Sequence, residues 1–145
     1  MRKFEVIQSY LDKDIKIPER ATKYSAGYDL ASAEDITINP GEIKLVPTGL
    51  KADMPEDEAL FVYPRSSLGI KRRLTMSNNV GVVDKDYYNN AENEGHIMIP
   101  IYNFGTEVQV IKKGERIAQG IFQKYGITDN DNAKNLRKGG FGSSN

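Results

Sequence analysis

The chain has 145 residues, a length that suits one domain with a sizeable buried core. Its 20 Lys and Arg balance 20 Asp and Glu, which argues against bulk electrostatic binding to nucleic acid or to an anionic membrane. The absence of cysteine excludes disulfides, thiolate metal sites and a cysteine nucleophile.

The N-terminal residues Met1 to Glu5 carry no apolar run long enough for a signal peptide, and no segment approaches the ~20 apolar residues of a membrane helix. The expectation is a soluble cytoplasmic protein, in the host cytoplasm if the source is a virus or phage. One histidine, His96, is too few for a histidine zinc site, and there is no Gly-x-Ser-x-Gly elbow for a serine triad. Phosphate-binding loops of the Gly-x-x-x-x-Gly-Lys-Ser/Thr and Gly-x-Gly-x-x-Gly kinds are also missing.

In chain order, short extended runs alternate with turn signals. The runs are Phe4–Gln8, Ile36–Ile38, Ile43–Val46, Ala59–Tyr63, Leu74–Met76, His96–Tyr102, Val108–Ile111 and Arg116–Phe122. Asn39-Pro40-Gly41-Glu42 fits a type II turn, and Pro47-Thr48-Gly49, Met54-Pro55-Glu56 and Lys112-Lys113-Gly114-Glu115 punctuate further. Ile97, Ile99 and Ile101 alternate at period two, as do Val108 and Val110, which predicts strands with one buried face. Many short strands with frequent turns predict an all-β sandwich or barrel. Helical pattern is confined to one short helix at Ser66–Lys71, with serine as the cap and Gly69 as a weak point. Residues 1–145 are expected to form one domain, with 136–145 a mobile glycine-rich arm.

Five stretches carry candidate chemistry. Asn78 to Tyr87 reads as an apolar strand, Val80-Gly81-Val82-Val83, that ends on the carboxylate of Asp84 with Tyr87 in reach; it is either a site or a hairpin with a solvated turn. Pro64-Arg65-Ser66-Ser67 places a guanidinium and two hydroxyls at a helix start, an anion site or a plain cap. Ser25 to Leu30 sets Asp29 beside a glycine and an aromatic, as a turn aspartate or as a contact for a phosphate-bound divalent cation. Gly114 to Gln119 brings Gln119 into a strand, as a phosphate donor or as an amide with a backbone partner. Gly139-Gly140-Phe141-Gly142-Ser143-Ser144 holds one aromatic among glycines and serines, a disordered end or an arm that closes on something flat.

In this order and spacing, the five stretches resemble the five motifs of the trimeric deoxyuridine triphosphate nucleotidohydrolases (dUTPases), and the resemblance covers essentially the whole chain. It implies a jelly-roll-like β fold and dUTP hydrolysis to dUMP and pyrophosphate, with Mg²⁺, in a homotrimer. Each shared active site takes its first, second and fourth motifs from one chain, its third from another and its tail from the remaining one. It further implies that Asp84 is the general base and that Asn78, Gly81, Val82, Val83 and Met98 surround the uracil. Tyr87 then lies under the deoxyribose and excludes a 2′-hydroxyl. Arg65, Ser66, Ser67 and Gln119 hold the phosphates, and Asp29 contacts Mg²⁺ through water. Phe141 stacks on the uracil, while Gly142, Ser143, Ser144 and Arg137 close on the terminal phosphates. Alternatives are a dCTP deaminase-like enzyme of the same fold, or a non-enzymatic β-barrel that binds nucleotide or protein.

Two departures stand out against the family pattern. Asn89-Asn90-Ala91-Glu92-Asn93-Glu94 is inserted before Gly95, where the family's hairpin turns quickly; the loop is expected to protrude, and it is a candidate docking point for a protein partner. Leu136 stands where the tail arginine usually lies, so that Arg137 is shifted by one residue, and Asn145 replaces the common glycine after the hydroxyl pair.

Overall fold

The structure is a computed structural model that describes residues 1–135, Arg137, Gly139 and Gly140. Phe141, Gly142, Ser143 and Ser144, assigned above to the closing arm, lie outside the described residues. The strands are β1 (Lys3–Val6), β2 (Tyr28–Ala31), β3 (Ile36–Ile38), β4 (Ile43–Pro47), β5 (Leu50–Asp53), β6 (Glu58–Pro64), β7 (Leu74–Met76), β8 (Gly81–Val83), β9 (Met98–Asn103), β10 (Gln109–Ile111) and β11 (Arg116–Lys124). One helix, α1 (Ser66–Arg72), follows β6.

Every strand pairing is antiparallel. The four-stranded sheet runs β2-β11-β6-β8, the three-stranded one β4-β9-β7, and β1-β5 and β10-β3 are two-stranded. One apolar cluster takes side chains from all of them, including Leu30, Ile38, Val46, Ala52, Leu60, Leu74, Ile99, Ile111 and Ile117. This is the all-β architecture predicted by the turn spacing, in the jelly-roll-like form that the resemblance implies. Among the described residues no helix is long and apolar enough to cross a membrane.

The turns form where backbone chemistry dictates. Gly41 (φ +81°) and Gly114 (φ +85°) take the left-handed region that a type II turn requires at its third residue, and each turn closes by a bond from residue four to residue one: Glu42 N to Asn39 O and Glu115 N to Lys112 O, both 3.0 Å. Ile97, Ile99 and Ile101 are at most 3% exposed, as their alternation predicts.

Other expectations need correction. Val108 and Val110 are 55% and 40% exposed, and the buried member of that segment is Ile111. Gln8 opens a 3-10 turn, Gln8–Tyr10, instead of extending β1. Strands β2 and β5 escape the sequence reading because Tyr-Asp-Leu-Ala and Leu-Lys-Ala-Asp have no β-branched residue; long-range partners, β11 and β1, make them extended. A serine does not cap α1. Arg65 is the N-cap, held extended (φ −71°, ψ 132°) by its N–H bond to Ile117 O at 3.0 Å, and no side chain caps the helix. Ser66 and Ser67 are its first two residues.

Candidate active site

The central sheet places the candidate residues on two separate surfaces. Strand β6 lies between β11 and β8. On its β8 side, Leu60, Phe61 and Val62 pair with Val83, Val82 and Gly81. On its β11 side, Tyr63 pairs with Gln119 and Pro64 with Ala118, while Gln119 also faces Asp29 across β2.

The first surface is a cavity of about 250 Å³. Buried Val62, Met76, Ile97 and Ile99 line its apolar part, with Pro100. Asn78, Gly81, Val82, Val83, Asp84, Tyr87 and Met98 line the remainder, so the structure brings these candidate residues together in one cavity. Asp84 stands where β8 ends. Its backbone is extended (φ −77°, ψ 158°) and its carbonyl accepts the Tyr87 N–H at 3.1 Å to start a 3-10 turn, Lys85–Tyr87. The Asp84 side chain does not cap that turn; its carboxylate, 44% exposed, faces outward to a partner, Arg137. Lys85 points elsewhere and donates to Met54 O at 2.8 Å.

Arg137 and Gly140 complete the cavity wall. The Arg137 guanidinium pairs with Asp84, while its Nε and its backbone N–H both donate to Asp86 at 3.1 Å. A Cβ on Gly140 would come within 2.8 Å of the Tyr87 ring. Arg137 and Gly140 thus lie against the hairpin of their own chain, where one guanidinium can neutralise two neighbouring carboxylates. Sequence reasoning did not pair Arg137 with Asp84 and Asp86. It also did not assign the lining role of Val62, Met76 and Ile97, although the isoleucine alternation marked Ile97 as inward-facing.

The second surface gathers the other three motifs. Asp29 pairs with Arg116 at 3.2 Å. Gly27 is pressed against Gln119: a Cβ there would lie 2.5 Å from Oε1. Arg65 reaches the Arg116 carbonyl at 3.5 Å, and Ser66 and Ser67 follow at the start of α1. None of Asp29, Arg65, Ser66, Ser67 and Gln119 lines the 250 Å³ cavity. Asp29 is also no turn residue; it sits within β2. Among the described residues, no group of three or more His, Asp or Glu side chains is placed to hold a metal ion.

His96 is linked to the cavity lining through its carbonyl, which accepts from the Tyr87 hydroxyl at 2.6 Å. Its Nε2 accepts the Gly49 N–H at 2.9 Å, and its ring packs 5.1 Å from that of Tyr10. Burial pushes its pKa below the ordinary 6.5, against weaker opposing pulls from Glu34 and Glu94. The folded state therefore favours the neutral ring, and the unfolded chain binds more protons as pH drops through 6.5. The stability that His96 contributes is present above that pH and is lost below it. In urea titrations at pH 7.5 and 5.5, the unfolding midpoint of the wild type should fall further than that of His96→Gln, whose amide still accepts from Gly49. Equal falls would show that His96 is not the titrating group.

Comparison with known proteins places this architecture. The dUTPase family model matches residues 13–145, and the chain belongs to that family. The deoxyuridine 5′-triphosphate nucleotidohydrolase of Lactococcus lactis is 51% identical over 99% of this chain and 97% of its own length. The dUTPase crystal structure from Streptococcus mutans is 44% identical, with a TM-score of 0.85 over 88% of this chain and 99% of that one. A point-mutant dUTPase from phage phi11 of S. aureus, described for its coordination of a structural Mg(II) ion, shares the fold at 19% identity, with a TM-score of 0.76 over 93% of this chain and 97% of that one. The protein is accordingly an enzyme, a dUTP diphosphatase.

Proposed function

We propose that the enzyme cleaves dUTP by in-line attack of water on the α-phosphorus, with Asp84 as general base. The bond from the water oxygen to the α-phosphorus forms, the bond to the bridging oxygen breaks, pyrophosphate leaves, and Asp84 takes the water's proton. The observation that carries this reading is the uncapped Asp84 carboxylate at the rim of a cavity lined by Asn78, Gly81, Val82, Val83, Tyr87 and Met98. About 250 Å³ lies below the usual range for drug-sized ligands and suits a base with its sugar, not a whole triphosphate. The groups around Val82, Val83, Met98 and Asn78 read the uracil edge, and Tyr87 lies under the deoxyribose.

The phosphates then extend beyond the cavity toward Arg65, Ser66, Ser67 and Gln119. Since these lie on the other surface of the chain, one protomer holds a base pocket and a phosphate surface that do not meet in a single site. A homotrimer with shared sites supplies the missing half from a neighbour, and light scattering should return the mass of three chains. Arg137, Phe141, Gly142, Ser143 and Ser144 close on the bound nucleotide.

Asp29, paired with Arg116, would touch Mg²⁺ only through water, with the ion held mainly by the substrate phosphates, as Mg²⁺ characteristically is. Bound there, the ion supplies charge neutralisation along the triphosphate. The product supplies dUMP for dTMP synthesis, and removal of dUTP limits uracil incorporation into DNA. Purified protein mixed with dUTP and Mg²⁺ should release dUMP and pyrophosphate in equal amounts; absence of pyrophosphate would refute the reading.

A further inference from the structure

The inserted loop Asn89–Glu94 does not line the cavity, yet its hydrogen bonds converge on a residue that does. Asn90 is its spine. Its Oδ1 accepts from Glu92 N at 3.0 Å and Asn93 N at 3.2 Å, while its Nδ2 donates to Tyr87 O and to Asn93 Oδ1, each at 2.7 Å. Asn93 Oδ1 accepts a second bond, from Gly95 N at 3.1 Å. With the amide oxygen committed to two donors, the amide nitrogen is the end of Asn93 that turns toward Tyr87, and it donates to the phenol oxygen at 2.8 Å. The phenol proton is spent on His96 O at 2.6 Å. A hydroxyl has one proton, so the Asn93 contact can only be a bond that Tyr87 accepts.

The loop is itself tied down. Lys51 bonds Asn89 Oδ1 at 2.5 Å and Glu94 at 2.8 Å, and Gln8 N donates to Glu94 Oε1 at 3.0 Å. Tyr87, 8% exposed, is thus held at its hydroxyl from two directions: by the chain leading into β9 and by a loop braced on β5.

We propose that Asn93 is a positioning residue for sugar selection: by clamping the Tyr87 hydroxyl from the inserted loop, it makes the ring a fixed wall against the 2′ position of the bound nucleotide. This rests on the reading that the cavity takes dUTP with its sugar against Tyr87. A wall excludes a hydroxyl only if it cannot retreat, and the Asn93 bond adds a second anchor at the hydroxyl to the one that His96 O provides. The loop then serves specificity while remaining outside the pocket.

The test uses the full chain as wild type, Asn93→Ala, Tyr87→Phe and the double variant, with kcat/KM measured for dUTP and for UTP and thermal unfolding recorded alongside. Asn93→Ala should lower the dUTP-over-UTP ratio about tenfold, the worth of one hydrogen bond, with kcat for dUTP within about threefold of wild type. In the Tyr87→Phe background, the same substitution should change the ratio no further, because the hydroxyl it acts through is gone. An unfolding temperature of Asn93→Ala close to that of wild type, with the ratio lowered, separates the clamp from loop folding. A wild-type ratio in Asn93→Ala would overturn the proposal, as would an undiminished effect of Asn93→Ala in the Tyr87→Phe background or a lowered ratio seen only together with loss of the folded state. A wild type that releases no pyrophosphate from dUTP would instead overturn the substrate reading and this inference with it.

Discussion

Asp84→Asn should lower kcat for dUTP by about 10²–10⁴-fold while nucleotide affinity changes only a few-fold. The amide matches the carboxylate in shape, so the cavity walls stay in place, but it cannot accept the water's proton. The geometry makes this a clean substitution. The Asp84 side chain takes no part in starting the 3-10 turn, so the backbone of Asp84 and Tyr87 should not shift. What it does lose is its share of the Arg137 pairing, which Asp86 still provides. Steady-state kinetics with dUTP, beside calorimetric binding of a non-hydrolysable analogue, would check both halves. A variant that kept most of its rate would remove Asp84 from the role of base.

Ending the chain after Leu136 should cost turnover on the order of 10²-fold or more, since donors that close on developing phosphate charge are each worth factors of that size. Stability should change little. Within the described residues, the arm contributes two glycines and the ion pairs of Arg137, 15% exposed, with carboxylates that are 44% and 39% exposed and so screened by water, worth about 1 kcal/mol. That corresponds to a shift in Tm below about 4 °C. The contact between Arg137 and the hairpin of its own chain gives the experiment a second reading. Truncation uncovers Asp84 and Asp86 as well as removing the closing segment, so affinity for dUMP, which has no terminal phosphates to hold, should be far less affected than turnover of dUTP. An unchanged rate would take the arm out of the mechanism.

The strands readable from the sequence are those whose own side chains demand burial. Ile97, Ile99 and Ile101 alternate because one face of β9 must leave water, and they fall at most 3% exposed. The turns at Gly41 and Gly114 were legible for an equally local reason, a backbone conformation that other residues seldom take. Val108 and Val110 show the limit of this logic: the alternation is present, but the face it marks is solvent-exposed in the protomer. Strands β2 and β5 show the converse, because their pairing comes from β11 and β1, distant in sequence.

The candidate residues divide in the same way. The apolar strand that stops on Asp84, with Tyr87 three residues on, is a local pattern, and the whole predicted set around it meets in one cavity. The partnership of Arg137 with Asp84 and Asp86 spans more than fifty positions, and no periodicity encodes it. The same holds for Asn93, whose importance depends on which end of its amide the loop leaves over. The sequence alone determined the all-β class and the position of the acidic residue at the end of an apolar strand, because these follow from side-chain chemistry and near-neighbour order. Only the tertiary structure decided that the base pocket and the candidate phosphate surface occupy different sides of β6, since sheet order is set by which distant strands pair, and hydrogen bonding between them carries no mark in either strand by itself.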